Sequence, residues 1–242
     1  MKKIVVGLFL FVPMAVFSTS TPVTKTFISK GINTLVYKNS AGNAKIVGTD
    51  NENLRISAKK NKFHEKCSLT IEKKDHELFI AVDEEGLLNK GGCNVDFDIQ
   101  VPKKVSLNLK SGSGNIEINK VQAKLDSKLG SGNLNATLDS CNGLNVMLGS
   151  GNIAIQGLNG DASVKTGSGN IELKWTSLPE KGSVDIKTGS GNVDLKMPKD
   201  SKISTSFKSG SGKLHNYIGD SPDAPFKVSV FTGSGDVELN KF

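Results

Sequence analysis

The strongest constraint on the fold is a short Gly-Ser-Gly word that the chain repeats seven times. Its second glycine stands at positions 114, 132, 151, 169, 191, 212 and 235, so successive copies lie 18, 19, 18, 22, 21 and 23 residues apart. Asparagine follows that glycine in the first five copies, and Lys213 and Asp236 follow it in the last two. A repeat near 20 residues is typical of stacked supersecondary units that bury their apolar faces against one another.

Apolar residues occupy alternate positions on both sides of each word, as expected for half-buried strands. Leu107 and Leu109 precede the first copy, and Ile116 and Ile118 follow it. Leu109 and Ile116 are seven positions apart, so an unbent strand would place them on opposite faces. Because both are apolar, the word must bend the chain, and glycine permits the positive φ that such a corner needs. No stretch has helical periodicity. The sequence predicts an all-β chain, a β-solenoid resembling a single-stranded β-helix.

Three regions follow from this pattern. Residues 1–20 have a charged start at Lys2 and Lys3 and a short apolar run, which is typical of a cleaved signal peptide, with an uncleaved anchor as the minor alternative. Residues 21–102 alternate less regularly and are expected to form an N-terminal β cap or first coils, and residues 103–242 are expected to form the repeated coils. We expect the chain to be exported to the periplasm, the cell surface or the medium, and no transmembrane segment is predicted in the mature chain.

Stacking should place equivalent residues about 4.8 Å apart in ladders. The asparagines after the glycine corners form one ladder, and we expect it to be structural, because side-chain amides can bond along a stack. Four residues before each second glycine stands a second ladder of lysines, interrupted by Met147 and closed by Phe231. Two ammonium groups at this spacing repel by about 0.9 kcal/mol in water, so the lysines should face solvent. They either form a plain solvent face or bind an anionic polymer: Lys110, Lys128, Lys165, Lys187 and Lys208.

Two insertions lengthen the later repeats, near Trp175 and near Tyr217. Insertions in a solenoid project as loops from one side, which is often the binding side. Trp175 and Tyr217 are therefore predicted to belong to the binding surface, together with the lysines.

The formal net charge is +7, but Arg55 is the only arginine. Proteins that read nucleic acids depend on arginine for bidentate contacts, so a nucleic-acid partner is not expected. The expected partner is a glycan or another anionic polymer of the cell envelope or of a host, or a protein.

The cysteines suggest one disulfide. Cys67 and Cys93 flank two predicted strands in the N-terminal region, and an exported chain can oxidise such a pair. The alternative is a metal site formed by these cysteines and His64, and the disulfide is the favoured interpretation. Cys141 is predicted to be a small packed residue.

No active site is predicted. The glycine words lie between strands and do not open helices, so they fit neither a phosphate loop nor a nucleophile elbow. Asp96 and Asp98 could be paired carboxylates, but alternating strand polarity explains them without catalysis. The acidic column Glu117, Glu172, Asp194 and Glu238 is sparse. We predict no enzyme activity, no cofactor and no catalytic or metal residues.

A signal peptide followed by repeated Thr-Gly-Ser-Gly-Asn-Ile words resembles the bacterial putative-adhesin domains of unknown function, which are related to the head-GIN domain of auto-transporter adhesins. The resemblance covers residues 34–242 and implies an exported, non-enzymatic β-solenoid. It brings no ligand or catalytic residues with it. Two other hypotheses remain: a polysaccharide-active enzyme on a β-helix, and a purely structural envelope protein.

Overall fold

The computed structural model describes residues 21–86 and 92–242, and in this part of the chain it contains 19 β-strands and no helix. The predicted signal peptide, residues 1–20, lies outside the described residues. No helix in the described ranges could span a membrane. The strands are β1 Val23–Ile28, β2 Thr34–Ala41, β3 Ala44–Thr49, β4 Asn53–Lys62, β5 Cys67–Lys74, β6 Glu77–Glu84, β7 Asn94–Pro102, β8 Ser106–Ser113, β9 Ile116–Asn119, β10 Gln122–Ser131, β11 Leu134–Ser150, β12 Ile153–Ser168, β13 Ile171–Trp175, β14 Gly182–Ser190, β15 Val193–Met197, β16 Ser204–Ser211, β17 Leu214–Asn216, β18 Phe226–Ser234 and β19 Val237–Lys241.

The strands form two ladders that meet at the glycine corners, as a β-solenoid-like fold requires. Sheet 1 contains the strands that lead into the corners, in the order β5-β6-β2-β8-β10-β11-β12-β14-β18-β16. Sheet 2 contains the strands that leave them, in the order β1-β4-β7-β3-β9-β11-β12-β13-β15-β19-β17. The long strands β11 and β12 belong to both sheets.

The coils do not stack in chain order at either end. At the N-terminal end the coil of β6 and β7 lies outside the coil of β2 and β3. At the C-terminal end the last coil, β18 and β19, lies between the coil of β14 and β15 and the coil of β16 and β17. The prediction that Phe231 closes the lysine ladder is therefore wrong, because Phe231 pairs with Lys187 on one side and Lys208 on the other.

Alternate side chains of both sheets fill one continuous apolar core. Leu107 and Leu109 before a corner and Ile116 and Ile118 after it are all buried, so the corner does reset the alternation. Removing such a side chain, as in Ile118→Ala, would cost about 2–5 kcal/mol of folding free energy.

Each corner allows a close approach that only glycine permits. Gly169 has φ +125°, and a Cβ at this position would lie 1.9 Å from the carbonyl oxygen of Gly151 in the neighbouring coil. A side chain there would have to displace backbone, so the glycine words are a condition for stacking.

The asparagine ladder connects the corners through hydrogen bonds. The Oδ1 of each asparagine accepts a hydrogen bond from the backbone N–H at the equivalent position of the next coil, for example Asn170 N–H to Asn152 Oδ1 at 2.9 Å. Asp96 Oδ1 begins the series by accepting from Asn43 N–H, and Asp236 Oδ1 ends it by accepting from Lys213 N–H. In the described part of the chain Lys213 lies in the outermost coil, so no neighbouring coil takes an acceptor from it. In stacking order the ladder is Asp96, Asn43, Asn115, Asn133, Asn152, Asn170, Asn192, Asp236 and Lys213.

Antiparallel strands cover the N-terminal end. Strand β5 pairs with the outer edge of β6, and β4 and then β1 extend sheet 2 beyond β7. A disulfide joins Cys67 at the start of β5 to Cys93 just before β7, with a Cα–Cα distance of 5.9 Å. Cys141 is free and buried, and burial raises the pKa of its thiol.

Candidate functional site

The predicted lysine ladder lies on the outer face of sheet 1 as a single register column. It begins one coil earlier than the sequence analysis placed it, at Lys38, which pairs in register with Lys110. We call this set the lysine column, and it has two apolar positions, Met147 and Phe231. In stacking order its members are Lys38, Lys110, Lys128, Met147, Lys165, Lys187, Phe231 and Lys208.

The column presents positive charge to solvent. All of its lysines except the half-buried Lys38 are exposed, and Met147 and Phe231 are exposed by 39% and 52%. Within the described residues, Lys187 makes the column's one ion pair, at 3.3 Å from Asp185. Neighbouring register positions lie about 4.8 Å apart, so an anion placed between two of these ammonium groups would relieve their mutual repulsion.

Two different strips flank the lysine column. On one side lie the first glycines of the words, and a shallow groove there is lined by Lys128, Met147 and Lys165 together with Gly130, Gly149 and Gly167. On the other side lies a polar strip, which includes Asp126 and Asp185. The described residues that line the groove on the glycine side include no carboxylate, so this side of the column is the more positive of the two.

Sheet 2 contrasts with this arrangement because two of its lysines, Lys45 and Lys196, lie beside carboxylates. Lys196 Nζ lies 2.5 Å from Glu172 Oε1 and 3.1 Å from Asp194 Oδ2, and the bond to Glu172, followed by the bond to Asp194, raises the pKa of Lys196. Lys45 Nζ lies 3.9 Å from Glu117. Glu117, Glu172 and Asp194 of the predicted acidic column are thus paired with nearby cations, and Glu238 accepts a hydrogen bond from Asn240 Nδ2. This column lies on sheet 2 and does not share a face with the lysine column.

The prediction that Trp175 contributes to a binding surface is wrong. Trp175 has no exposed surface, its Nε1–H donates to the carbonyl oxygen of Gly160 at 2.9 Å, and its ring packs edge-on against Phe226. It continues the inward alternation of Ile171 and Leu173 and forms part of the core. Tyr217 is 64% exposed, but it follows β17 in sheet 2 and its N–H bonds to Leu239, so it does not extend the lysine column.

The carboxylates that could suggest catalysis mostly have structural partners. Asp96 accepts hydrogen bonds from Asn43 N–H and from Asn61 Nδ2, both at 2.7 Å. A groove beside the polar strip contains three aspartates, of which Asp126 accepts from Asn145, Asp161 accepts from the N–H of Ser183, and Asp185 pairs with Lys187. Asp98 is exposed on β7, next to Lys45 in register.

His64, Cys67 and Cys93, the alternative metal site of the sequence analysis, do come together. One donor atom of each lies within 4.8 Å of the others, but the two sulfurs are bonded to each other in this structure.

Comparison with solved structures finds similar chains among bacterial proteins. A putative cell adhesion protein from Clostridium sporogenes is 14% identical, with a TM-score of 0.40, and the match covers 92% of this chain and 100% of that one. A putative lipid binding protein from Parabacteroides distasonis is 15% identical, with a TM-score of 0.48 and coverage of 92% and 97%. A putative adhesin from Bacteroides fragilis is 14% identical, with a TM-score of 0.40 and coverage of 91% and 97%.

The comparison with curated proteins gives no match. The comparison with protein families gives one that spans almost all of the described chain. The sequence model of the Toastrack DUF4097 domain matches residues 27–241. This range contains every strand from β2 to β19, all the glycine words and the lysine column. The chain therefore belongs to the Toastrack DUF4097 family.

Proposed function

We propose that the protein is an exported, non-enzymatic β-solenoid that binds an anionic polymer of a cell envelope or of a host along the lysine column. The observation that carries this proposal is the single line of exposed lysines, of which one in the described chain has a carboxylate partner. A solenoid repeats its surface at a fixed spacing, and a polymer with regularly spaced charges repeats its own.

The contrast between the two sheets supports this choice of surface. Lysines that serve only solubility can be neutralised locally, as Lys45 and Lys196 are on sheet 2. In the lysine column, two adjacent ammonium groups repel by about 0.9 kcal/mol in water before screening, and among the described residues only Lys187 has a carboxylate partner that offsets this repulsion. The glycine strip beside it leaves backbone surface that a polymer can approach closely. The relation of this chain to the head-GIN domain stays a prediction from the sequence.

The test is binding of residues 21–242 to an immobilised sulfated polysaccharide and to polyphosphate, with neutral dextran as the negative surface. The variant Lys128→Gln, Lys165→Gln, Lys187→Gln removes three cations from the centre of the column. Each lost contact is worth about 0.5 kcal/mol at the protein surface, so we expect affinity to fall about tenfold. Binding should also weaken as salt rises.

A matched variant controls for the change in net charge. Lys62→Gln, Lys181→Gln, Lys199→Gln changes the net charge equally but removes exposed lysines outside the column. We expect it to bind nearly as the unmodified chain does. Equal losses in the two variants would show attraction by net charge alone and would contradict a specific column. No binding to either polyanion would favour a purely structural envelope protein.

A further inference from the structure

The N-terminal end of the solenoid contains a side-chain cluster that the polymer surface does not use. Cys67 begins β5, Cys93 precedes β7, and His64 lies in the loop before β5. One donor atom from each residue lies within 4.8 Å of the other two. Cys93 is fully buried, Cys67 is 8% exposed, and the His64 side chain is 35% exposed and forms the solvent side of the cluster.

The contacts of His64 resemble those of a metal ligand. Its Nε2 lies 3.2 Å from Glu84 Oε1, whose side chain is only 6% exposed, and its Nδ1 accepts a hydrogen bond from the N–H of Lys66 at 3.3 Å. These contacts fit a ring that carries its proton on Nε2 and a lone pair on Nδ1. Histidines that bind metals commonly donate their second ring N–H to a carboxylate, which fixes the tautomer and the ring orientation.

The local backbone also suits chelation. His64 and Cys67 are separated by two residues, and the N–H of Cys67 bonds to the carbonyl oxygen of His64 at 2.9 Å, so the loop forms a tight turn that brings both side chains to one side. Zinc ligands are often separated by such two-residue spacings. Strand pairing places Cys67 directly opposite Glu84, which brings the supporting carboxylate to the same place.

We propose that Cys67 and Cys93 have two alternative states, the disulfide and, after reduction, a Zn²⁺ site completed by His64. A dithiol reductant transfers two electrons and two protons to the disulfide, giving two thiols, and itself becomes a disulfide. Zinc then displaces both thiol protons and binds two thiolates and the Nδ1 of His64, with one position left for water, as in other three-ligand zinc sites. Glu84 is a positioning residue that holds the imidazole.

The required movement is small, and the Nδ1 of His64 exchanges its hydrogen bond from the N–H of Lys66 for the metal. In the disulfide the sulfurs are at bonding distance, whereas two thiolates on one tetrahedral zinc lie roughly 3.8 Å apart, given Zn–S bonds of about 2.3 Å. The Cα atoms are 5.9 Å apart, and rotation of the two cysteine side chains separates the sulfurs without moving the strands. The two states exclude each other, so the cluster would bind metal only in the reduced protein.

The experiment uses cobalt as a spectroscopic substitute for zinc. Residues 21–242 are reduced with dithiothreitol, freed of reductant without oxygen, and titrated with Co²⁺, then with Zn²⁺ in competition. We expect a thiolate-to-cobalt charge-transfer band that saturates at one metal per chain and disappears when Zn²⁺ is added. The oxidised protein should show no band.

Substitutions test which residues bind the metal. His64→Gln keeps both cysteines and should weaken Co²⁺ binding at least tenfold, and Glu84→Gln should weaken it about tenfold. His215→Gln, in the coil farthest from the cluster, should change nothing. The variant Cys67→Ser, Cys93→Ser retains Cys141, so a band that survives in it would come from Cys141 and would overturn the proposal.

Circular dichroism of the reduced, metal-free chain is measured first, because the disulfide also supports the fold. If the reduced chain keeps its β signal, absence of the band or equal affinity of His64→Gln and the unmodified chain overturns the proposal. If the reduced chain loses that signal, Zn²⁺ should restore it, and failure to restore it overturns the proposal equally.

Discussion

The two ends of the solenoid differ in how the exposed edge of the stack is covered. A stack of coils exposes an edge at each end, and at the N-terminal end antiparallel strands β5, β4 and β1 cover it. At the C-terminal end no described strand pairs with the outer side of β16 and β17, and Phe207 and Leu214 in that coil are only partly buried.

Both ends nevertheless share one feature, which is that the outermost parallel coil is not the first or the last parallel coil in the described sequence. The last described strand, β19, lies between β15 and β17, so it does not form the edge of sheet 2. The exposed coil at that end is connected to the chain on both of its sides, which limits fraying. The comparison indicates that chain connectivity protects the C-terminal edge, whereas added strands and a disulfide protect the N-terminal edge.

The largest effect is expected from deleting residues 222–242, which removes β18 and β19. Among the described strands, β16 and β17 of the outer coil pair only with β18 and β19, so the outer coil should also leave the stack and two coils should be lost. Replacing residues 202–222 by a linker of about four residues should instead remove the outer coil alone. Hydrogen exchange should show that the amides of β14 and β15 lose protection only in the first deletion. Loss of their protection only in the second variant would mean that the coils stack in chain order.

The next largest effect is expected at the central corners. Gly169→Ala would place a Cβ 1.9 Å from the carbonyl oxygen of Gly151 and force a positive φ on alanine. We expect a loss of about 3 kcal/mol or more of unfolding free energy, since the backbone of two coils must move. Gly219→Ala is the control, because its φ is also positive at +91° but nothing lies within 4 Å of the added Cβ. Equal losses in urea titrations would assign the effect to φ alone and not to stacking.

Loss of the disulfide should destabilise the N-terminal end. Cys67 and Cys93 are separated by 26 residues, and closing such a loop in the unfolded chain is worth about 3–4 kcal/mol. Cys67→Ser, Cys93→Ser should therefore lower the protection of β5, β6 and β7 from hydrogen exchange, while β16 to β19 keep theirs. A uniform loss over all strands would indicate that the two ends unfold as one unit.

The asparagine ladder should distinguish interior from terminal coils. Asn170→Ala leaves the N–H of Asn192 without its side-chain acceptor and should cost about 1–2 kcal/mol. Lys213→Ala removes a side chain that no further coil uses and should cost almost nothing. Asn170→Asp retains an acceptor, as Asp236 does naturally, and should be close to neutral. Similar losses for the alanine variants in thermal unfolding would contradict the order of the ladder.

The smallest effect concerns alkaline pH at the N-terminal end. Burial raises the pKa of Tyr37, partly offset by the hydrogen bond from Asn39, and the charge of Asp96 raises it further. The neutral phenol is thus favoured in the folded state, and its contribution is complete below the unfolded pKa of about 10 and is lost as pH rises above it. At pH 11 the loss should be about 1.4 kcal/mol. Tyr37→Phe should remove this part of the pH dependence, and unchanged alkaline sensitivity in the variant would assign the effect to other groups.

Much of the fold could be predicted because the sequence pattern that specifies it is periodic. The glycine words, the alternation around them and the lysine offset all follow from spacing. The burial of Trp175 could also have been predicted, because it has the same parity as Ile171 and Leu173. Lys38 could have been found four residues before Gly42, at the same offset as Lys110 before Gly114.

The order of the end coils is harder to predict, since the last two words are nearly identical. One signal does exist, because every residue of the asparagine ladder except the outermost must supply a side-chain acceptor to the next coil. Asp236 has such an acceptor and Lys213 does not, so Lys213 belongs to the outermost coil. Asp96 could not be recognised as a ladder member, because no glycine word precedes it. Its role depends on β7 pairing with β3 across the intervening strands, which local sequence does not specify.

The most direct test of this stacking is cysteine cross-linking at the C-terminal corners. Ser190 and Ser234 are register partners, as are Ser211 and Ser234, and all three are exposed. After mild oxidation, mass spectrometry should find an efficient cross-link in Ser190→Cys, Ser234→Cys and in Ser211→Cys, Ser234→Cys, but little in Ser190→Cys, Ser211→Cys. An efficient cross-link between positions 190 and 211, with none between 190 and 234, would contradict the account.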